Sequence, residues 1–215
     1  MTDILQKIKD WDFSAEESGI TLNLDYIELA EISDIVERKI WFIGEIDEGV
    51  IESIVYNIIR YNTEDKGKPV EKRKPIIIYL NSIGGETISG MGLVSAIQTS
   101  ITPVYTINMG QCSSIALVVF LSGHKRYTMP NSVFLMHEGF GGSYDSISKA
   151  KETTLFFANQ YEDVIKQLTI EKTALTKKDY EKKYKEEWFF LPEEAKKYRF
   201  VDEIIGKDCS LEEII

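Results

Sequence analysis

Three times in succession, a short run of β-branched and apolar residues is followed by a helix-length stretch, twice with apolar positions recurring at three-four spacing and once apolar throughout. Ile40-Trp41-Phe42-Ile43 precedes Val50, Ile51, Ile54, Val55, Ile58 and Ile59; Pro75-Ile76-Ile77-Ile78-Tyr79-Leu80 precedes Met91, Leu93, Val94 and Ile97; Val104-Tyr105-Thr106-Ile107 precedes an apolar helix from Ser113 to Leu121. Runs of the first kind suit strands covered on both faces, periodic stretches suit helices packed by one face, and an all-apolar stretch suits a helix buried all round. Strands alternating with helices predict an α/β domain built on a largely parallel, buried sheet. Arg126-Tyr127-Thr128 and Val133-Phe134-Leu135-Met136 add two strands. A long helix from about Asp145 to about Thr173, a Lys- and Glu-rich helix from Lys177 and a short helix opened by Pro192 complete the pattern.

Outside these elements the expectations are looser. Asp47 is placed to cap the first helix, and Asn62 to Lys74, with Gly67, Pro69 and many charges, reads as a polar surface loop. Residues 1–37, interrupted by Ser14-Ala15-Glu16-Glu17-Ser18-Gly19, read as an N-terminal arm attached to one domain covering 38–215. A chain of 215 residues is long enough for one well-buried core.

Composition removes several classes of function. Lys and Arg total 25 against 35 Asp and Glu, a net charge of −10, which disfavours nucleic acid and anionic membrane as partners. No apolar run reaches the roughly 18 residues needed to span a bilayer, and the N-terminus lacks the basic start and unbroken apolar stretch of a secretory signal. Cys112 and Cys209 form no CxxC and stand without clustered histidines, so neither a disulfide framework nor a zinc site is indicated. A reducing cytoplasm and a reaction needing no cofactor fit these residues.

Three local features carry chemistry. Asn81-Ser82-Ile83-Gly84-Gly85 ends the second strand in a glycine turn that brings backbone N–H groups close to a reacting carbonyl. Gly110-Gln111-Cys112-Ser113-Ser114 opens the apolar helix, and His137 ends a strand. Each has an ordinary reading alone: a strand-to-helix turn, a helix cap, a hydrogen-bonded core imidazole. Taken together they supply what amide hydrolysis needs, namely a hydroxyl at a sharp turn, main-chain donors for an oxyanion and an imidazole to move the proton. Ser114 is the candidate nucleophile, His137 the base, and the N–H groups of Gly85 and Ile115 the oxyanion donors. His124, in the charged turn Gly123-His124-Lys125-Arg126, reads as a solvated loop residue.

From Glu37 to Ile205 the chain resembles the ClpP family, the proteolytic subunits of the Clp protease. The resemblance is carried by Arg38-Lys39-Ile40-Trp41-Phe42-Ile43-Gly44-Glu45-Ile46-Asp47, Tyr79-Leu80-Asn81-Ser82-Ile83-Gly84-Gly85, Gly90-Met91, Met109-Gly110-Gln111-Cys112-Ser113-Ser114, Arg126-Tyr127-Thr128-Met129-Pro130-Asn131-Ser132, Met136-His137 and Glu193-Glu194-Ala195-Lys196-Lys197-Tyr198. It implies a ClpP/crotonase-like fold of repeated strand-helix units with a long protruding helix for ring stacking. It also implies an ATP-dependent, Clp-type serine endopeptidase with Ser114 and His137 as catalytic pair and Gly85 and Ile115 at the oxyanion.

Assembly follows from the same resemblance: homo-oligomeric heptameric rings, possibly two stacked, cleaving unfolded polypeptides in a closed chamber, with an AAA+ unfoldase as a possible partner. Asp145 to Thr173 and Phe140 to Tyr144 would then join the rings, and Gly139 to Gly142 could pair with a substrate strand. The third triad member departs from the family. A gapless match puts Lys183 where an Asp is expected, leaving Asp179, Glu186 and Glu187 as alternative carboxylates. That departure keeps a second reading open, a weak or inactive ring subunit that scaffolds or regulates an active partner. Acyl-CoA chemistry on the same fold is a third, without matched acidic residues in the glycine segments.

Overall fold

The computed structural model describes residues 26–139 and 146–214. Seven strands form one sheet: β1 (Lys39–Ile46), β2 (Ile76–Gly85), β3 (Val104–Ser113), β4 (Lys125–Thr128), β5 (Val133–Met136), β6 (Trp188–Phe190) and β7 (Glu203–Ile204). The main path is β1-β2-β3-β4-β7, all parallel; β5 pairs in parallel with the end of β3, and β6 runs antiparallel to β5.

Period-two alternation in β2 explains why its run is apolar throughout. Ile76, Ile78 and Leu80 point into the larger core, while Ile77 and Tyr79 point to the opposite face and join Ile107, Tyr127, Ile205 and Ile214. The larger core is covered by α2 (Tyr56–Glu64), entered through a wider π-type turn at Ile51–Val55, by α3 (Thr87–Thr99) and by α4 (Ile115–Ser122). Every residue of α4 is buried, as its unbroken apolar sequence requires. The predicted parallel α/β architecture is therefore observed.

Helix boundaries differ from expectation at three places. The N-terminal helix α1 (Tyr26–Glu37) packs beside β1, with the Trp41 indole donating to Asp34 and the Tyr61 hydroxyl to the Ile35 carbonyl; residues 1–25 of the expected arm lie outside the described residues. α2 runs to Glu64, into the segment expected as loop, because Asp65 at its end is required by a buried ion pair. The third strand continues to Ser113, so the apolar helix starts two residues later than its predicted Ser113. Asp47 accepts from the Gly49 N–H at 2.8 Å in the turn leading into this helical course, whose N-cap position, Val50, carries no side-chain cap.

The long helix is one course in three parts, α5 (Ile147–Phe156), a π-type turn (Phe157–Tyr161) and α6 (Glu162–Lys172). α5 contains no buried residue and so stands off the body, whereas Leu168 and Thr169 of α6 are buried. α7 (Lys177–Tyr184) and α8 (Pro192–Lys197) follow. β6 was not foreseen: Trp188 and Phe190 turn inward and stack with each other and against Phe134 and Phe200.

The two ends of the sheet are built differently. Before β1, Arg38 donates to both oxygens of Asp65, which also accepts from Thr102 just before β3 and from Lys68. Arg38 further reaches the Lys74 carbonyl before β2, so one ionic knot closes the strands' N-terminal ends. The carboxyl ends, where open parallel sheets leave their crevice, carry the glycine turn, Ser114 and His137.

Candidate active site

Two parallel strands bring the predicted pair together. Ser113 sits opposite Leu135 in the β3–β5 register, and the Ser114 N–H continues the ladder by donating to the Leu135 carbonyl at 3.0 Å. Ser114 then turns the chain sharply into α4 with φ 55° and ψ −131°. A positive φ is costly for a residue with a side chain, on the order of 1–3 kcal/mol, and such strain recurs where a strand-to-helix turn presents a nucleophile. His137 follows β5 by one residue, so both side chains emerge from the same end of adjacent strands. They line one cavity of about 50 Å³, together with Ile115, Met136, Thr169 and Tyr180.

The glycine turn leaves room for this elbow. A Cβ on Gly84, at φ +98°, would lie 2.7 Å from the Ser113 carbonyl oxygen, 2.8 Å from Ser114 Cβ and 3.4 Å from the Ile115 nitrogen. Gly85, at φ +146°, pairs with Ile46 and admits no Cβ beside that residue's carbonyl. Gly90 opens the next turn of α3 to Ile115, whose Cγ1 lies 2.3 Å from the place of a Gly90 Cβ. As the first residue of α4, Ile115 presents an N–H with no intrahelical acceptor. Asn81 ties the two loops by accepting from the Gln111 N–H at 3.0 Å.

Around His137 the candidate carboxylates separate. Oε1 of Glu187 lies 3.4 Å from His137 Nδ1, with the glutamate 60% exposed and the histidine 14%. Asp179 is engaged with Thr176 in the capping box of α7. Lys183, at the gapless acid position, lies 3.3 Å over the Trp188 ring and 3.8 Å from Glu194, its pKa lowered mainly by burial. Sequence spacing could not choose among these groups because the α7–β6 turn, Lys185 to Glu187, sets which carboxylate faces back toward β5.

Tyr184, which sequence reading did not single out, holds the segment after His137: its hydroxyl accepts from the Gly139 N–H at 3.3 Å. Burial pushes its phenol up to about 12. The nearby Glu162 carboxyl is raised by burial, with hydrogen bonding from Tyr184 acting the other way. The expected ring-joining segment Phe140 to Tyr144, and most of the substrate-pairing segment Gly139 to Gly142, lie outside the described residues. His124 is exposed in its turn, as expected, and its Nδ1 accepts from the Val104 N–H at 3.0 Å.

The family described as Clp protease matches residues 29–208. The ATP-dependent Clp protease proteolytic subunit 2 of Tropheryma whipplei is 30% identical over 173 residues, covering 78% of this chain and 91% of that protein. Among solved structures, a mutant ClpP1 from Listeria monocytogenes superposes with a TM-score of 0.70 at 21% identity, covering 85% of this chain and 98% of the other. That last likeness speaks to the fold.

Proposed function

The chain belongs to the Clp protease family, and from that premise we propose that it is a serine endopeptidase subunit acting on unfolded polypeptides, with Ser114 as nucleophile and His137 as general base and acid. One observation carries this reading: Ser114, held at a strained positive φ between strand and helix, shares a cavity with His137.

The chemistry follows from the positions. Ser114 Oγ attacks the substrate carbonyl while His137 takes its proton. Negative charge develops on the carbonyl oxygen and is met by the N–H groups of Gly85 and Ile115, the latter at the positive end of a buried helix. His137 then protonates the leaving amine, and water, activated by the same imidazole, releases the acyl group from Ser114. Glu187 is the carboxylate proposed to orient the imidazole through Nδ1.

The assembly belongs to the same proposal. Ring formation, and stacking of two rings through Ile147 to Lys172, is supported by the unburied α5 and by exposed Ile147, Leu155, Phe156 and Val164, more apolar surface than a solvated helix carries. An unfoldase of the AAA+ class would deliver substrate, residues 1–37 would form the arm of a peptidase domain spanning 38–215, and the acidic chain with its two free thiols suits the cytoplasm. No described helix is long and apolar enough to cross a membrane.

Treating the assembled protein with a fluorophosphonate should modify Ser114, and a short fluorogenic peptide should be cleaved by the wild type but not by Ser114→Ala. A protein that neither labels nor cleaves is not this enzyme. The exposure of Glu187 favours one second reading, a weak ring subunit that supports an active partner; it corresponds to labelling at Ser114 with little turnover until that partner is added.

A further inference from the structure

His137 stands one residue beyond the last ladder pair of β5, so groups outside the sheet must fix where its imidazole lies. One short stretch of chain, Tyr184 to Trp188, meets it on both sides. Trp188 pairs with Met136, the residue before the imidazole, and Oε1 of Glu187 lies 3.4 Å from Nδ1. The Tyr184 hydroxyl accepts from the Gly139 N–H at 3.3 Å and so fixes the backbone two residues after the imidazole. Gly139 is exposed and, as a glycine, has the widest backbone freedom of any residue, which makes an anchor there count. Tyr184 is itself well held. Its ring stacks on that of Tyr180 at 5.1 Å and 16°, and Tyr180 is 2% exposed. A hydroxyl that accepts from an N–H still has one proton to give, and Glu162 takes it from α6, the helix anchored by buried Leu168 and Thr169. The bond to Gly139 therefore ties the chain beyond β5 to two packed helices.

We infer that Tyr184 is a positioning residue for the proposed reaction: by holding the Gly139 N–H it keeps the His137 imidazole where it serves Ser114 on one side and Glu187 on the other. It touches neither the substrate nor the reacting atoms and acts through the backbone. The effect falls on turnover and not on binding. Because the Gly139 N–H is spent on Tyr184, an extended substrate does not draw on it, and removing the hydroxyl takes no bond away from the substrate. What is lost is alignment, on which proton transfer depends steeply, a misplacement of about 1 Å costing as much as about 100-fold. The Met136 pairing and the Glu187 contact still restrain the ring, so the expected loss is smaller.

The inference rests on the proposed hydrolase reading, and the experiment separates the two. In the assembled protein, Tyr184→Phe should lower kcat on a short peptide about tenfold while KM stays within about twofold of wild type. Labelling of Ser114 by a fluorophosphonate, a reagent too small to pair along the chain, should slow by the same factor. An unchanged kcat, or a loss confined to KM, overturns the inference. A second readout needs no turnover. The chain has two histidines, so with isotope-labelled histidine the magnetic-resonance signal of His124, in the turn before β4, is the control for that of His137. Wild type should give one sharp His137 ring signal that broadens or doubles in Y184F, while the His124 signal keeps its shape. That change upholds Tyr184 even if the wild type neither labels nor cleaves, in which case only the hydrolase reading falls. A His137 signal as sharp in Y184F as in wild type overturns the inference.

Discussion

Nδ1 of His137 lies 3.4 Å from Oε1 of Glu187, a carboxylate that reaches β5 from the turn before β6. Lys183, which occupies the family's acid position in a gapless match, is instead laid over the Trp188 ring. An orienting carboxylate fixes the imidazole tautomer and stabilises the imidazolium, and where it is buried its loss costs about 10⁴-fold in rate. Glu187 is 60% exposed and its contact is long, so its share is smaller. Glu187→Gln should lower kcat/KM on a short peptide on the order of 10- to 100-fold, while Lys183→Ala should change it by less than about threefold. The reverse ranking would assign the orienting role elsewhere.

Gly84 separates the glycine turn from a mere connection. Its φ of +98° and the closeness of the Ser113 carbonyl and Ser114 Cβ leave no room for a methyl group. Gly84→Ala adds backbone strain of about 1–3 kcal/mol and displaces the elbow it touches. The substitution should abolish fluorophosphonate labelling of Ser114 while the far-ultraviolet circular dichroism stays that of an α/β protein. Normal labelling would mean that the turn does not shape the site.

The strand-helix alternation was legible because β-branched runs such as Ile76-Ile77-Ile78 have no other economical use than a strand buried on both faces, and the structure buries all three. Ser114 and His137 were legible as residue types at element ends, whereas the β3–β5 register that joins them was not, because a parallel order does not say which strands pair. Less legible was anything decided by long-range partners. The end of α2 follows from Asp65 answering Arg38 across 27 positions of chain, and the choice of Glu187 follows from a short turn whose direction no periodicity encodes. Tyr180 read as one more residue of a charged helix, because its burial depends on α6 packing beside α7.

Both thiols should behave as core atoms. Cys112, two residues before the elbow, is fully buried and its pKa is raised well above the ordinary thiol value by that burial; Cys209 is pushed up to about 11, first by burial and then by Glu203. Thiolate is the reactive form, so neither group presents an accessible nucleophile in the folded chain. At pH 8 the native protein should consume almost none of an aromatic disulfide reagent, and two equivalents should react on unfolding, matching the two cysteines of the chain. Rapid native reaction of one thiol would place it at the surface.

Acid should loosen the closed end of the sheet before the open one. Asp65 is 1% exposed and its carboxyl is held far below the ordinary carboxylate range, chiefly by the hydrogen bond from Arg38, against the opposing effect of burial. Because the folded value is depressed, the unfolded chain binds this proton first. The stabilisation is therefore complete above the ordinary aspartate value of about 4 and is lost progressively as pH falls below it toward the folded value. Asp65→Asn removes the charge that answers a buried guanidinium and should cost about 3–5 kcal/mol at pH 7. In urea titrations from pH 7 to pH 3, the gap between wild type and D65N should stay constant down to about pH 5 and narrow below about pH 4. A gap that holds its full width at pH 3 would show that Asp65 stabilises the fold by packing and neutral hydrogen bonds, not by its charge on Arg38.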